Sequence, residues 1–188
     1  MYKRQLLLIS TVNYAQLSNK HWIPPLHARG GETYVSEHYL YISTPETTPF
    51  AVTVTDGSGN PITGSPFTIS QGNPQSIFIG NNQPSVMMLS QADLNIAKTN
   101  KGLILEGSGE FYASFRLRAQ NHAEILVSKG RNGAGTAFRL GSLPMIGPGS
   151  LRNFVSSFMA TEDNTVVTLN EYDTGVVFAS GNGNITVS

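Results

Sequence analysis

Along much of this chain apolar side chains recur at every second residue, in short runs closed by Gly, Pro, Asn or Asp. A period of two puts alternate side chains on opposite faces of an extended strand, so such a chain folds as sheets. In "AVTVTDGSGN", Val52 and Val54 face one way and Thr53 and Thr55 the other, and 56–60 then turns the chain as a hairpin loop. The pattern predicts strands over 39–43, 50–55, 65–70, 76–79, 86–89, 103–106, 111–119, 124–128, 137–140, 154–159, 165–170 and 176–179. Helix is limited to a turn over 90–97.

The fold class that follows is all-β: an antiparallel β-sandwich, jelly-roll-like, with the start of a second similar β-unit. Nineteen Gly and ten Pro against 13% charged residues suit many short strands and tight turns. Pro61 and Pro66 cannot donate a ladder hydrogen bond, so the strand around them lies at a sheet edge or starts after Pro66.

The second unit is inferred from an internal comparison. "STPETTPFAVTVTDGSG" and "ATEDNTVVTLNEYDTG" share a small residue, Thr, an acid, Thr and then an alternating Val-Thr strand. Copies spaced this far apart are a domain repeat, since solenoid periods run to only about 20–50 residues. The expected organisation is a sandwich over 17–148 and the first strands of a second over 149–188. A lone two-stranded hairpin is marginal in water, so 149–188 is expected to pack on the first sandwich or on further sequence. The closing "GNITVS" alternates like a strand and stops without a turn, so more protein is expected beyond it.

Residues 1–16 have a basic opening (Lys3, Arg4), an apolar run over 6–12 and small Ala15 before Gln16, the order of a secretory signal peptide. A first strand, or a scar over 1–5, would also fit. The run is far short of the ~20 residues of a membrane-spanning helix, so no membrane insertion is expected. Twelve Lys and Arg balance twelve Asp and Glu, which leaves no global field to draw nucleic acid. The absence of Cys removes disulfides, Cys-ligated zinc and thiol nucleophiles.

Taken together, "HYLYISTPETTPFAVTVTDGSG", "KGLILEGSGEFYASFRLRAQNHAEILVSKGRNGAGTAFRLG" and "FVSSFMATEDNTVVTL" resemble the IgGFc-binding-protein N-terminal domain family. The likeness is greatest to its bacterial branch, found in Bacteroidetes-type secreted surface and gliding-motility-associated proteins. The resemblance implies an extracellular β-rich module of a larger adhesin-like protein. It supplies no residue motif for antibody binding, and none is expected.

Candidate chemistry is sparse. Glu162, Asp163 and Asn164 offer oxygens to Ca²⁺, as do Asp56 and Asn60, but neither segment has the spacing of a calcium loop. Both read first as turns in which Asx side chains bond local backbone amides, so no cofactor is expected. "SKGRNGAGTAFRLG", with Lys129, Arg131 and Arg139, reads as an exposed mobile loop and a contact surface. "SFRLRAQNH" aligns Ser114, Arg116 and Arg118 on one strand face, where guanidinium groups can grip a carboxylate, sulfate or acidic sugar. In "KHWIPPLHARGG", Trp22 is either a sugar-stacking surface or part of a segment that seals the core. The four His show no metal-ligand spacing, and G-x-S-x-G is absent.

The reading is therefore a secreted, non-catalytic recognition and adhesion module that meets a host or environmental protein or glycan surface. Carbohydrate binding or cleavage, suggested by Trp22 and "FYASFRLR", is the alternative. A structural spacer is the third.

Overall fold

The computed structural model describes residues 16–27, 35–82, 84–94, 96–119, 122–140, 156–172 and 184–187. In chain order its strands are β1 (Ser18–Ile23), β2 (Leu26–His27), β3 (Val35–Ser43), β4 (Phe50–Asp56), β5 (Phe67–Ile69) and β6 (Gln75–Gly80). They continue as β7 (Met88–Leu89), β8 (Leu103–Ala119), β9 (His122–Val127), β10 (Thr165–Thr168) and β11 (Asn184–Val187). Short 3₁₀ turns occupy Gln91–Asp93 and Gly130–Gly133.

The 17-residue β8 organises the molecule. Its first part pairs antiparallel with β4 on one side and β1 on the other; its second part pairs with β3 and β9. β5 continues beyond β4 and β6 beyond β3, which completes a seven-stranded antiparallel sheet. The neighbours change over 107–111, where "GSG" removes two side chains. A Cβ on Gly109 would stand 2.9 Å from the Phe50 ring, and one on Gly107 would stand 3.1 Å from both the Phe50 and Phe111 rings. Glycine there lets aromatic rings lie directly on the strand backbone at the change of partner. The fold is all-β and sandwich-like.

Alternation along β8 fills the interior. Leu103, Leu105, Phe111, Ala113 and Phe115 point inward and are buried, and they meet Val52 and Val54 of β4, Leu40 and Ile42 of β3, and Ile77 of β6. Each of these Val, Leu, Ile and Phe side chains contributes about 1.5–3 kcal/mol by leaving water. A histidine is buried beside each part of β8. His21 donates from Nε2 to the Phe111 carbonyl (2.8 Å), with the Ser18 carbonyl also in reach, and accepts at Nδ1 from the Ser128 hydroxyl. His38 uses the opposite tautomer, donating from Nδ1 to the Ser36 carbonyl and accepting at Nε2 from the Ser85 hydroxyl. Burial pushes both pKa values down, opposed by these carbonyl bonds.

Several expectations change. The two strands expected over 103–106 and 111–119 are one, because glycines that read as a break make a change of partner instead. The segment 137–140 is not a strand: its residues are exposed, and no described strand lies beside it. Residues 156–159 are irregular, and β10 pairs with β11 in a separate two-stranded sheet. The two copies of the acidic turn thus have different surroundings, since β3 and β4 flank the first copy yet pair with different parts of β8. β1, expected only as a sealing segment or sugar-stacking surface, is a full strand with His21 and Ile23 inside. β5 starts after Pro66 and lies at the sheet edge, as the prolines require. The turn expected over 90–97 is the 3₁₀ turn at Gln91–Asp93. The expected signal segment apart from Gln16, the boundary at 148–149 and the strand expected at 176–179 lie outside the described residues.

Candidate functional site

β3, β6, β9 and the second part of β8 form a four-stranded face whose outward side chains stand in cross-strand register. Phe78 lies opposite Tyr39, Tyr39 opposite Arg116, and Arg116 opposite Ile125. The next row is Ser76, Tyr41, Ser114 and Val127. At about 4.8 Å per strand each row spans about 14 Å, and rows on one face repeat every ~6.8 Å. Phe78 is 55% exposed, Ile125 63% and Val127 46%. The Tyr39 ring meets Phe78 edge-on at 5.5 Å and Tyr41 at 6.3 Å.

Arg116 sits in the middle of the first row. Its side chain is exposed and has no hydrogen bond or ion pair to any described residue. In the two rows no outward position carries a carboxylate. Ser114, Arg116 and Arg118 do share a face, as the alternation predicts; Arg118, opposite Ala123, lies one step along β8.

The face across the change of partner is different. Lys20 and Trp22 of β1 lie opposite Glu106 and Ile104 of β8. Lys20 Nζ is 2.9 Å from the Glu106 carboxylate and 5.5 Å from the centre of the Trp22 ring. Trp22 and Ile104 line an open cleft of about 1210 Å³, walled by 96–99 and by 156–164. Here Trp22 and the acidic turn at 162–164 come together, two features far apart in sequence. The cleft's other cations are also engaged. Lys98 lies 2.7 Å from Asp93, and Lys101 donates to the Ser85 carbonyl. Hydrogen bonds from Lys98 and then from the Ser90 hydroxyl and amide hold the Asp93 carboxyl at about 2.

The remaining candidates stand elsewhere. The loop read as mobile is pinned at its start: Ser128 bonds His21, and the Ser18 hydroxyl accepts from the Arg131 amide. Gly130 is buried with a φ of 57°, and a Cβ on it would overlap Ser18. That fixed turn displays Lys129 to solvent and bonds Arg131 Nε to Asn19 (3.0 Å). Arg139 pairs with Glu171 at 2.7 Å, both exposed. The six candidate contact residues, Trp22, Arg116, Arg118, Lys129, Arg131 and Arg139, therefore do not form one surface.

The two turns weighed as calcium sites differ: the Asp56 carboxylate is used locally, whereas at 162–164 the local bond is to a backbone carbonyl. One Asp56 carboxylate oxygen accepts from the amides of Ser58 and Asn60, and the Asn60 side chain closes on the same carboxylate. Asn164 takes the left-handed region (φ 58°), which Asn tolerates, and the Glu162 carbonyl accepts from the Thr165 hydroxyl. Among the described residues no three His, Asp or Glu side chains stand together as a metal would need.

No protein-family model and no curated protein matches the chain. A solved structure described as the crystal structure of Thermotoga maritima 1070 is similar to it at 16% identity, over 62% of this chain and 97% of that one, with a TM-score of 0.30. No helix among the described residues is long and apolar enough to cross a membrane.

Sequence reasoning singled out Arg116 and Arg118 but missed Tyr39, Tyr41, Phe78, Ile125 and Val127. The signal was present in "HYLYI" and "AEILV" as alternation with large residues on the outer phase. Only the register shows that these phases meet.

Proposed function

We propose that this chain is a non-catalytic extracellular recognition module of a larger surface protein, and that it meets a protein partner through the face of β6, β3, β8 and β9. The observation that carries this reading is the row Phe78, Tyr39, Arg116 and Ile125. Tyr and Arg dominate the energetic centres of protein interfaces, and aromatic residues with Arg are the types enriched there. Four hydrogen-bonded strands hold these side chains in place, so little order has to be gained on binding. The resemblance to the IgGFc-binding-protein N-terminal domain family implies the same kind of role.

The test is attachment of the full chain to host or environmental cells, compared between intact, protease-treated and periodate-treated surfaces. Protease should abolish attachment and periodate should leave it. The double variant Tyr39→Ala/Phe78→Ala should lose about tenfold or more, and Lys129→Ala/Arg131→Ala/Arg139→Ala little. Loss confined to the loop variant would move the site off the sheet.

The Trp22 cleft supports a second reading, saccharide binding. An indole beside Ile104, with the polar groups of Thr99, Ser156 and Asn164 around it, suits a sugar ring. Glycan-array binding that Trp22→Ala removes would establish it; retention would sink it.

A further inference from the structure

We infer that the partner's contact segment is an acidic polypeptide in which a Glu or Asp faces Arg116 and an apolar side chain lies two residues away along the chain. The inference rests on the face being the recognition surface.

Its first support is the state of Arg116. Lys20, Lys98 and Arg139 each hold a carboxylate within 2.9 Å, and Lys101 and Arg131 each hold an oxygen. Arg116, like Lys129 in the loop, is exposed and without a partner among the described residues. It also stands between Tyr39 and Ile125 in one row. Any partner that covers those apolar neighbours strips water from the guanidinium between them, and a desolvated cation without an acceptor is costly. Cover and countercharge must therefore arrive together, and a carboxylate bound through two parallel N–H bonds is the fitting group.

The face also narrows the occupant. A second copy laid row on row would bring no carboxylate to Arg116. The nearest acid a shifted copy could offer is Glu37, exposed two residues before Tyr39 on β3, and a concentration-dependent dimer that Arg116→Ala abolishes would overturn the inference. Ile125 and Val127 are branched aliphatics, and the Tyr39 and Phe78 rings lie 66° apart rather than coplanar. Such a surface offers no flat stack of rings for a polysaccharide, but suits peptide side chains. The rows repeat at ~6.8 Å, the spacing of residues i and i+2 in an extended peptide. A carboxylate over Arg116 then places the side chain two residues on over Tyr41 and Val127.

The experiment pans a random dodecapeptide display library against the full chain, then measures the affinities of synthesised winners by calorimetry. Selected peptides should share an Asp or Glu with an apolar residue two positions away. Changing that acid to its amide, or Arg116→Ala in the protein, should each weaken binding about tenfold or more, and the two together little more than either alone. Arg116→Lys should recover only part of the affinity, since Lys cannot make the bidentate contact.

Selected peptides without an acid, full affinity with Arg116→Ala, or no binder in the library would each overturn the inference. So would binding of uronate or sulfated oligosaccharides in place of peptides. If Tyr39→Ala/Phe78→Ala removes binding and Arg116→Ala does not, this inference falls and the recognition face stands; if neither matters, both fall. Should the double variant unfold, Phe78→Ser at the exposed end of the row takes its place.

Discussion

The two outer faces that share β8 treat their charges in opposite ways. On the β1 side Lys20 is closed off, salt-bridged to Glu106 and lying against the Trp22 ring. On the β9 side Arg116 stands open between Tyr39 and Ile125, with no acid in its row. Both faces are built around β8, with Lys20 on the neighbouring β1 and Arg116 on β8 itself, in a chain of formal net charge zero. Balanced composition therefore says little about local fields. What distinguishes a surface that satisfies itself from one that awaits a partner is where each countercharge falls in the register.

The comparison assumes that the two parts of β8 stand or fall together, and Phe111 tests this most severely. It is fully buried just past the change of partner, with ring contacts to His21 at 4.7 Å and Phe50 at 6.5 Å. Phe111→Ala should cost about 3–5 kcal/mol in urea unfolding. Fluorescence of the single Trp, on the β1 side, should report the same transition as far-UV circular dichroism. Two separated transitions would show that the faces belong to independent units.

Gly109→Val should cost less, about 1–3 kcal/mol, because the new side chain drives into Phe50 at the point where β8 changes partners. A cost near zero would mean that the ring has room to move and that the glycine is dispensable.

Acid should weaken both parts through their histidines. Burial lowers the pKa of His21 and His38, so the unfolded chain takes up protons below its ordinary value of ~6.5 at sites the folded chain keeps neutral. Stability from this source is complete above about pH 6.5 and falls as pH drops from there towards the lowered folded values. Asp93, held at about 2, adds its own loss only below about pH 4. Denaturation midpoints should fall from about pH 7.5 to about pH 5, and an unchanged midpoint over that range would contradict the histidine assignment.

The smallest effects sharpen the contrast itself. A double-mutant cycle on Lys20 and Glu106 should give about 0.2–1 kcal/mol of coupling, as for other exposed pairs. Arg116→Ala should change stability by no more than about 0.5 kcal/mol, because its charge is unused in the free protein. A large destabilisation there would reveal a structural partner and close the open face.

Much of the fold was legible in the sequence because alternation is a local property. β3, β4 and β6 fall where Tyr39, Val52 and Ile77 set the phase, and Pro66 correctly marks an edge. β8 was not legible as one strand, because "GSG" is the same signal whether a chain turns back or bends onward; Phe50, nearly sixty residues away in sequence, decides it. Residues 137–140 failed for the converse reason, since Phe138 and Leu140 alternate without a strand to pair with among the described residues. At the candidate site Arg116 and Arg118 could be placed on one face from their spacing alone. Their companions could not, since Phe78, Tyr39 and Ile125 belong to three other strands, and only hydrogen-bond register brings them into one row.

Sharing one strand also dictates the order in which this protein can form. β1, β3, β4 and β6 all leave the ribosome before β8, and three of them pair with it directly. At ~5–20 residues per second of synthesis, the earliest strand waits several seconds for its partner. Pairings so distant in sequence close slowly. Until Leu103–Ala119 emerges, the nascent chain holds apolar strand edges with no native neighbour, and translation through "LILEGSGEFYASF" is the step that lets it fold.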